Sequence, residues 1–234
     1  MKKSLKTAFS LLGLSSTLVI SSLPLITSCS TSINRSSNGL IRGNIDSIEV
    51  NASTFLKGAT SGYVYYQISN DKVGLYAKDP STACNVVGNN VSFYDSVTLE
   101  NATYTLTAIN KNAFMANSLD ESTPKLSGSV TFNKSLAAIG EAAFKFQNQV
   151  TKYDFSPMNT TSNINIGNLA FAENSLLKEV ITGDNLASTV VINDSAFLNC
   201  VKLEAFHFPR GTTVIGKEAF KGCTSLSTVT FACQ

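Results

Sequence analysis

An Ala-Phe pair recurs in one register at five places in this 234-residue chain: Ala113-Phe114, Ala143-Phe144, Ala170-Phe171, Ala196-Phe197 and Ala219-Phe220. The phenylalanines stand 30, 27, 26 and 23 residues apart. Four residues before each alanine is an isoleucine: Ile109, Ile139, Ile166, Ile192 and Ile215. The residue after it is always Asn or Gly: Asn110, Gly140, Gly167, Asn193 and Gly216. Six residues after the last four phenylalanines comes an aliphatic side chain (Val150, Leu177, Leu203, Leu226). Tyr153, Val180, Phe206 and Val229 follow three further on, then Phe155, Thr182, Phe208 and Phe231 two beyond those. The first unit carries an insertion and reaches Leu126, Val130 and Phe132 instead. Self-similarity at a period of about 20–50 residues is the signature of a repeat array.

Each unit then reads as a short strand, a loop, a turn at Gly/Asn and a short helical turn carrying Ala-Phe. One unit cannot bury its own apolar residues, whereas neighbours stacked about 4.8 Å apart share a continuous core. The Gly/Asn column predicts a residue with positive φ, because those two types accept it cheaply. A β-sandwich with coincidental pairs would have to explain five matched registers.

The stretch "VIGKEAFKGCTSLSTVTF" (214–231) resembles a unit of the BspA-like leucine-rich repeat proteins, which run approximately I-G-x-x-A-F-x-G-C-x-x-L-x-x-V-x-F. "SVTLENATYTLTAINKNAF" is similar to the segment leading into their first repeat. The resemblance covers about residues 60–231 and departs from the pattern at the 114–132 insertion and at Thr182, where Phe is usual. It implies a repeat solenoid, α/β to mostly β, as a curved stack of about five units. Those units span 109–234, behind a small N-terminal β cap over 60–108. It also implies an extracellular bacterial surface protein concerned with adhesion, host-protein binding or antigenicity. Within the cap, Tyr63–Ile68 and Val73–Ala77 read as a hairpin joined by turn formers at 69–72.

The N-terminus "MKKSLKTAFSLLGLSSTLVISSLPLITSCS" has a basic start, an apolar stretch and a small-residue end before Cys29. That is a secretory leader over 1–28. Ile26-Thr27-Ser28-Cys29 resembles a bacterial lipobox, whose cysteine becomes N-terminal and takes the lipid. Cys29 is the expected lipidation site, with acyl chains such as palmitate worth about 0.8 kcal/mol per buried CH₂. The protein is then expected on the outer face of the cell membrane. A Ser/Asn-rich stalk follows, with lipidated cysteine and stalk together taken as 29–59. A soluble secreted protein or an uncleaved anchor are the plainer alternatives.

The formal charge is +2, but Lys2, Lys3 and Lys6 fall in the leader; without them 15 basic residues face 16 acidic ones. Such a near-neutral chain has no footprint for nucleic acid. His207 is the single histidine, and no phosphate loop, dinucleotide fingerprint, nucleophile elbow or metal-binding motif occurs. No enzyme activity, catalytic residue, metal or cofactor is expected.

A protein ligand would meet the solvent side of the repeat strands, which the alternation assigns to Ser129, Thr131, Lys152, Asp154, Glu179, Ile181, Ala205, His207, Thr228 and Thr230. The rival surface is the variable loops at 157–163 and 183–190, and the plainer alternative is a solvated face with no ligand. An antigenic coat protein and, further off, a solute-binding lipoprotein are competing functions. Only three residues follow Phe231, so the last strand is expected to present an edge open to a partner or a second copy. Three residues after each repeated Phe stand Asn117, Gln147, Asn174, Cys200 and Cys223. That column accepts amide or thiol, which makes it a packing position. Adjacent rungs nonetheless leave a Cys200–Cys223 bridge open.

Overall fold

Valine and phenylalanine two apart, with polar residues between, bury one face of a strand and leave the other in water. The computed structural model describes residues 47–61, 63–69, 71–77, 86–99, 102–116, 125–158, 163–183 and 189–232. The chain divides into two units, Met1–Gly43 and Asn44–Gln234. The expected leader and Cys29 lie outside the described residues, as do Asn117 and most of both variable loops.

The front of the second unit holds β1 (Ser47–Asn51), β2 (Leu56–Ser61), β3 (Tyr63–Ser69), β4 (Lys72–Ala77), β5 (Val87–Phe93), β6 (Ser96–Leu99) and β7 (Ala102–Ile109). The repeats then alternate between two sheets. One receives β9 (Ala138–Ile139), β11 (Ile164–Ile166), β13 (Val190–Ile192) and β15 (Thr212–Ile215). The other receives β8 (Leu126–Thr131), β10 (Gln149–Asp154), β12 (Glu179–Ile181), β14 (Ala205–Phe208) and β16 (Thr228–Phe231). Among the described residues the first sheet orders β1-β3-β4-β7-β9-β11-β13-β15, with β6 beside β7, and the second β16-β14-β12-β10-β8-β5-β2. Repeat strands run parallel, and Ile109, Ile139, Ile166, Ile192 and Ile215 lie in one register. Val130, Tyr153, Val180, Phe206 and Val229 form the matching column opposite.

The β3–β4 hairpin forms as its sequence indicates, with Tyr65 opposite Tyr76. The end of the expected stalk does not stay a tether. Residues 47–51 form β1, which pairs antiparallel with β3, Ile48 opposite Tyr66 and Val50 opposite Val64. The Asn51 side chain then accepts the Ser53 N–H at 3.0 Å and caps the short 3-10 turn Ala52–Thr54. Behind it Phe55 is buried against Phe93 and Phe114, closing that end of the core. Nor does the solenoid begin at 109. β5 already lies parallel to β8, Val91 opposite Val130 and Ser92 opposite Thr131, so the expected cap contains a rung.

The Ala-Phe segments are not helical. Between strands each rung makes a flat turn whose alternate N–H groups point in different directions. Ala143, Lys145 and Gln147 donate back to the residue three earlier, inside the rung. Ala142, Phe144 and Phe146 donate instead to Asn168, Ala170 and Ala172 of the next rung, at 2.9, 2.7 and 3.0 Å. The same three-bond pattern joins every successive pair of turns from 112–116 through 217–221. Two residues in each of the last four turns, and Asn112 in the first, adopt positive φ. One column is Asn112, Ala142, Leu169, Ser195 and Glu218; the other is Phe146, Glu173, Asn199 and Gly222.

The Gly/Asn column therefore has a different cause from the one expected. None of its members has positive φ. A Cβ on Gly140, Gly167 or Gly216 would lie 2.4–2.7 Å from the backbone carbon of the preceding rung's column member. The demand is close approach of two backbones. Where Asn occupies the column its amide is used: Asn193 Nδ2 donates to Ile166 O at 2.7 Å and Asn165 Oδ1 at 2.6 Å. Ser195→Gly, which removes the Cβ from a residue at φ 56°, is expected to stabilise the fold by about 1 kcal/mol. Thermal unfolding monitored by circular dichroism checks it.

The turns carry the longest aromatic column. Phe114, Phe144, Phe171, Phe197 and Phe220 stack with centroids 5.2, 5.5, 5.1 and 5.2 Å apart and planes within 13° of parallel. A second column, Phe93, Phe132 and Phe155, breaks at Thr182 and resumes at Phe208 and Phe231. Thr182 turns its hydroxyl to His207 O at 2.6 Å. A small apolar cavity lined by Phe155, Ile166, Val180, Thr182, Phe206 and Pro209 stands where a ring would otherwise fill.

Candidate interaction face

Parallel pairing makes the solvent side of the second sheet a set of straight columns, since in-register residues repeat at the strand spacing. The ten residues assigned to that side fall into two of them. Ser129, Lys152, Glu179, Ala205 and Thr228 are successive partners across β8, β10, β12, β14 and β16. Thr131, Asp154 and Ile181 form the second column across the first three strands, and His207 pairs with Thr230 across the last two. All ten are exposed or half-buried, while Val130, Tyr153, Val180 and Phe206 between them are buried.

The face is held together by side chains. His207 Nδ1 and the Thr230 hydroxyl share a hydrogen bond of 2.8 Å across β14 and β16. Further along the sheet, Thr151 of β10 donates to Gly128 O of β8 at 3.1 Å. Lys152 lies between Ser129 and Glu179, with Asp154 two residues on, so charge of both signs sits at the centre and hydroxyls toward the ends.

The sequence reading stopped one strand short. Ser92 of β5 partners Thr131, and Asn89 partners Ser127, so the face continues past β8. Asn90, at φ 53°, accepts the Ser129 N–H and hydroxyl on Oδ1 at 2.9 and 3.1 Å and fixes the bulge there. The signal was the alternation Val91-x-Phe93, which lacks an Ala-Phe pair to announce it.

The amide-or-thiol column resolves as a set of donors. Gln147 Nε2 donates to Phe114 O at 2.6 Å, Cys200 Sγ to Phe171 O at 3.2 Å and Cys223 Sγ to Phe197 O at 3.1 Å. Each reaches the Phe carbonyl one rung back. Gln147 also accepts the Leu126 N–H at 3.0 Å, and Asn174 turns aside to Tyr153 Oη at 3.0 Å. Burial pushes the Tyr153 phenol well above its ordinary range, with Cys200 adding to it. Cys200 and Cys223 are free thiols.

Among the described residues no three His, Cys, Asp or Glu side chains stand close enough to hold a metal, and no helix is long and apolar enough to cross a membrane. Residues 89–227 match the family model of the BspA type leucine rich repeat region in six copies, the first starting inside the expected cap. No curated protein matches the chain. A leucine rich cell surface protein from Faecalibacterium prausnitzii A2-165 superposes with a TM-score of 0.55 at 21% identity, covering 74% of this chain and 42% of that one. A leucine-rich repeat protein from Bacteroides ovatus ATCC 8483 gives 0.50 at 22%, covering 72% and 40%. The chain thus spans about two fifths of the length of each, and likeness at these identities is one of fold.

Proposed function

The chain belongs to the BspA-type leucine-rich repeat family, and from that premise we propose that it is a bacterial surface lipoprotein, anchored through Cys29, whose second sheet binds a protein on a host or neighbouring cell. The observation that carries the binding role is the in-register face of Ser129, Lys152, Glu179, Ala205 and Thr228 beside Thr131, Asp154, Ile181, His207 and Thr230. A solenoid presents such an extended surface, and its function lies in what that surface carries. The leader and lipobox support the anchor. The likeness in fold to a leucine rich cell surface protein supports the location. A contact between copies belongs to the same reading, through the outer edges of β15 and β16, where Phe231 is 56% exposed.

Intact cells carrying the full chain are cross-linked against host extract, and the captured protein is compared with that from cells carrying Lys152→Glu with His207→Glu. Neither side chain belongs to the apolar core; loss of the His207–Thr230 bond and a glutamate opposite Glu179 are expected to cost about 1–2 kcal/mol together, which circular dichroism of the variant must show to leave it folded. Capture is expected to fall by about tenfold or more if these side chains sit in the centre of the contact. Equal capture by both would remove the sheet face from the proposal and return the role to the loops. Capture by neither would favour an antigenic coat. Labelling with an alkyne fatty acid, present on the parent and lost in Cys29→Ser, tests the anchor separately.

A further inference from the structure

Cys200 and Cys223 hold the same station on successive rungs. Each backbone N–H closes a turn onto the Phe three residues earlier, at 3.3 Å to Phe197 O and 3.2 Å to Phe220 O. Phe197 O is shared, because it also accepts the Cys223 thiol at 3.1 Å. The sulfur of Cys223 is therefore laid against the backbone that carries Cys200. The rings of Phe197 and Phe220 are 5.2 Å apart and 6° from parallel, so the two turns repeat each other at rung spacing. A disulfide tolerates Cα atoms about 4.4–6.8 Å apart, and one rung falls within that range. The described earlier rungs carry Gln147 and Asn174 at this station, so thiols become neighbours only here. The two differ in access: Cys200 is fully buried, and Cys223 is half-buried near the last described strand.

We propose that Cys200 and Cys223 form a thiol–disulfide exchange site, in which Cys223 attacks a disulfide compound from solvent and Cys200 resolves the adduct into a cross-rung bond. In the first step the Cys223 thiolate attacks one sulfur of R–S–S–R. A mixed disulfide forms, and RS⁻ leaves and takes a proton from solvent. In the second step Cys200 gives up its proton, its sulfur attacks that of Cys223, and the second RS⁻ departs and is protonated. Two protein thiols are oxidised and one external disulfide is reduced to two thiols, so the balance closes without another reactant. The proton order fits these roles. Once Cys223 is ionised, the Cys200 thiol can turn from Phe171 O to donate to it, which holds Cys223 below its ordinary value. Keeping its proton for that bond, with burial behind it, pushes Cys200 well up. The more exposed sulfur is thus the first to become the nucleophile.

The test uses the full chain carrying Cys233→Ser, which removes a competing thiol from the peptide that holds Cys223. It is incubated with oxidised glutathione, quenched in acid, alkylated and mapped by mass spectrometry. Expected are peptides containing Cys200 and Cys223 joined to each other and separated by reductant. Cys200→Ser is expected to stop at glutathione on Cys223, because no resolving sulfur is present. Cys223→Ser is expected to leave Cys200 reduced, with glutathione incorporation there lower by about tenfold or more. Should either serine variant fail to fold, mapping of the Cys233→Ser chain alone decides. Recovery of Cys200 and Cys223 as separately alkylated peptides, or equal glutathione at Cys200 with and without Cys223, overturns the proposal.

Discussion

Phe171→Ala destabilises the fold by about 3–5 kcal/mol, the cost of removing a fully enclosed aromatic ring that its surroundings cannot replace. Phe171 is wholly buried and stacks on Phe144 and Phe197 at 5.5 and 5.1 Å. It also meets Tyr153 at 4.4 Å, Phe155 at 6.1 Å and Phe132 at 6.2 Å. The backbone around it cannot collapse into the space. Phe171 N–H is bonded to Ala196 O at 2.8 Å, and Ala170 O accepts from Phe144 at 2.7 Å, so the rung spacing is fixed on both sides. The gap would open in mid-stack, where both neighbouring rings lose a face. With native domains held by only about 5–15 kcal/mol, this is a large share of the total. In a unit of this size the melting temperature should fall by roughly 10 °C or more. Urea unfolding followed by circular dichroism measures it. Phe231→Ala, at a ring already 56% exposed, is the control and should cost far less. A loss below about 1 kcal/mol at Phe171 would mean that the stack is not tightly packed.

The second large effect comes from adding a single carbon. Gly167→Ala places a Cβ 2.7 Å from Gly140 C, 2.8 Å from Glu141 N and 2.9 Å from Ile139 O. All three are backbone atoms in a paired rung, so none can swing aside as a side-chain tip would. Moving them breaks the Gly167 N–H bond to Ile139 O at 2.7 Å. The expected cost is about 3 kcal/mol, the upper part of the usual range for overpacking. Ser195→Gly and Gly167→Ala thus form an opposed pair. Were positive φ the reason for the Gly/Asn column, Gly167→Ala would cost only the strain of a left-handed alanine, about 1–2 kcal/mol. Denaturant midpoints for both variants separate the two explanations.

Much of the architecture could be read from residue spacing because burial enforces it. Ile109, Ile139, Ile166, Ile192 and Ile215 are in one ladder since each must enter the same core, and the Val/Phe columns follow for the same reason. The outward residues follow by alternation, which is how the face from Ser129 to Thr230 came to be assigned. The turn conformation was hidden. Its left-handed residues are Asn112, Ala142, Leu169, Ser195 and Glu218, which share no side-chain chemistry. Their φ is imposed by hydrogen bonds to the next rung, so composition at that column says nothing. Gly and Asn beside them gave a false lead, because the same two residue types also answer a demand for space. The extra strands β1 and β5 were hidden for another reason. Each is a short alternating run, Ile48-x-Val50 or Val91-x-Phe93, without the Ala-Phe pair that marks the later units.

The turn ladder also has a direction. From rung to rung, three N–H groups always point toward higher residue numbers, and twelve such bonds join the five turns from 112 to 221. At the neighbouring Gly/Asn position one N–H per rung points the other way. A parallel sheet largely cancels its own peptide dipoles, but these turns do not. Peptide units of about 3.5 D aligned head to tail sum along an axis, as they do in a helix. Here the axis is that of the stack rather than of any one segment. One edge of the solenoid is therefore electrically polarised, positive toward its C-terminal side, and this polarisation grows with every rung although no ionised residue takes part.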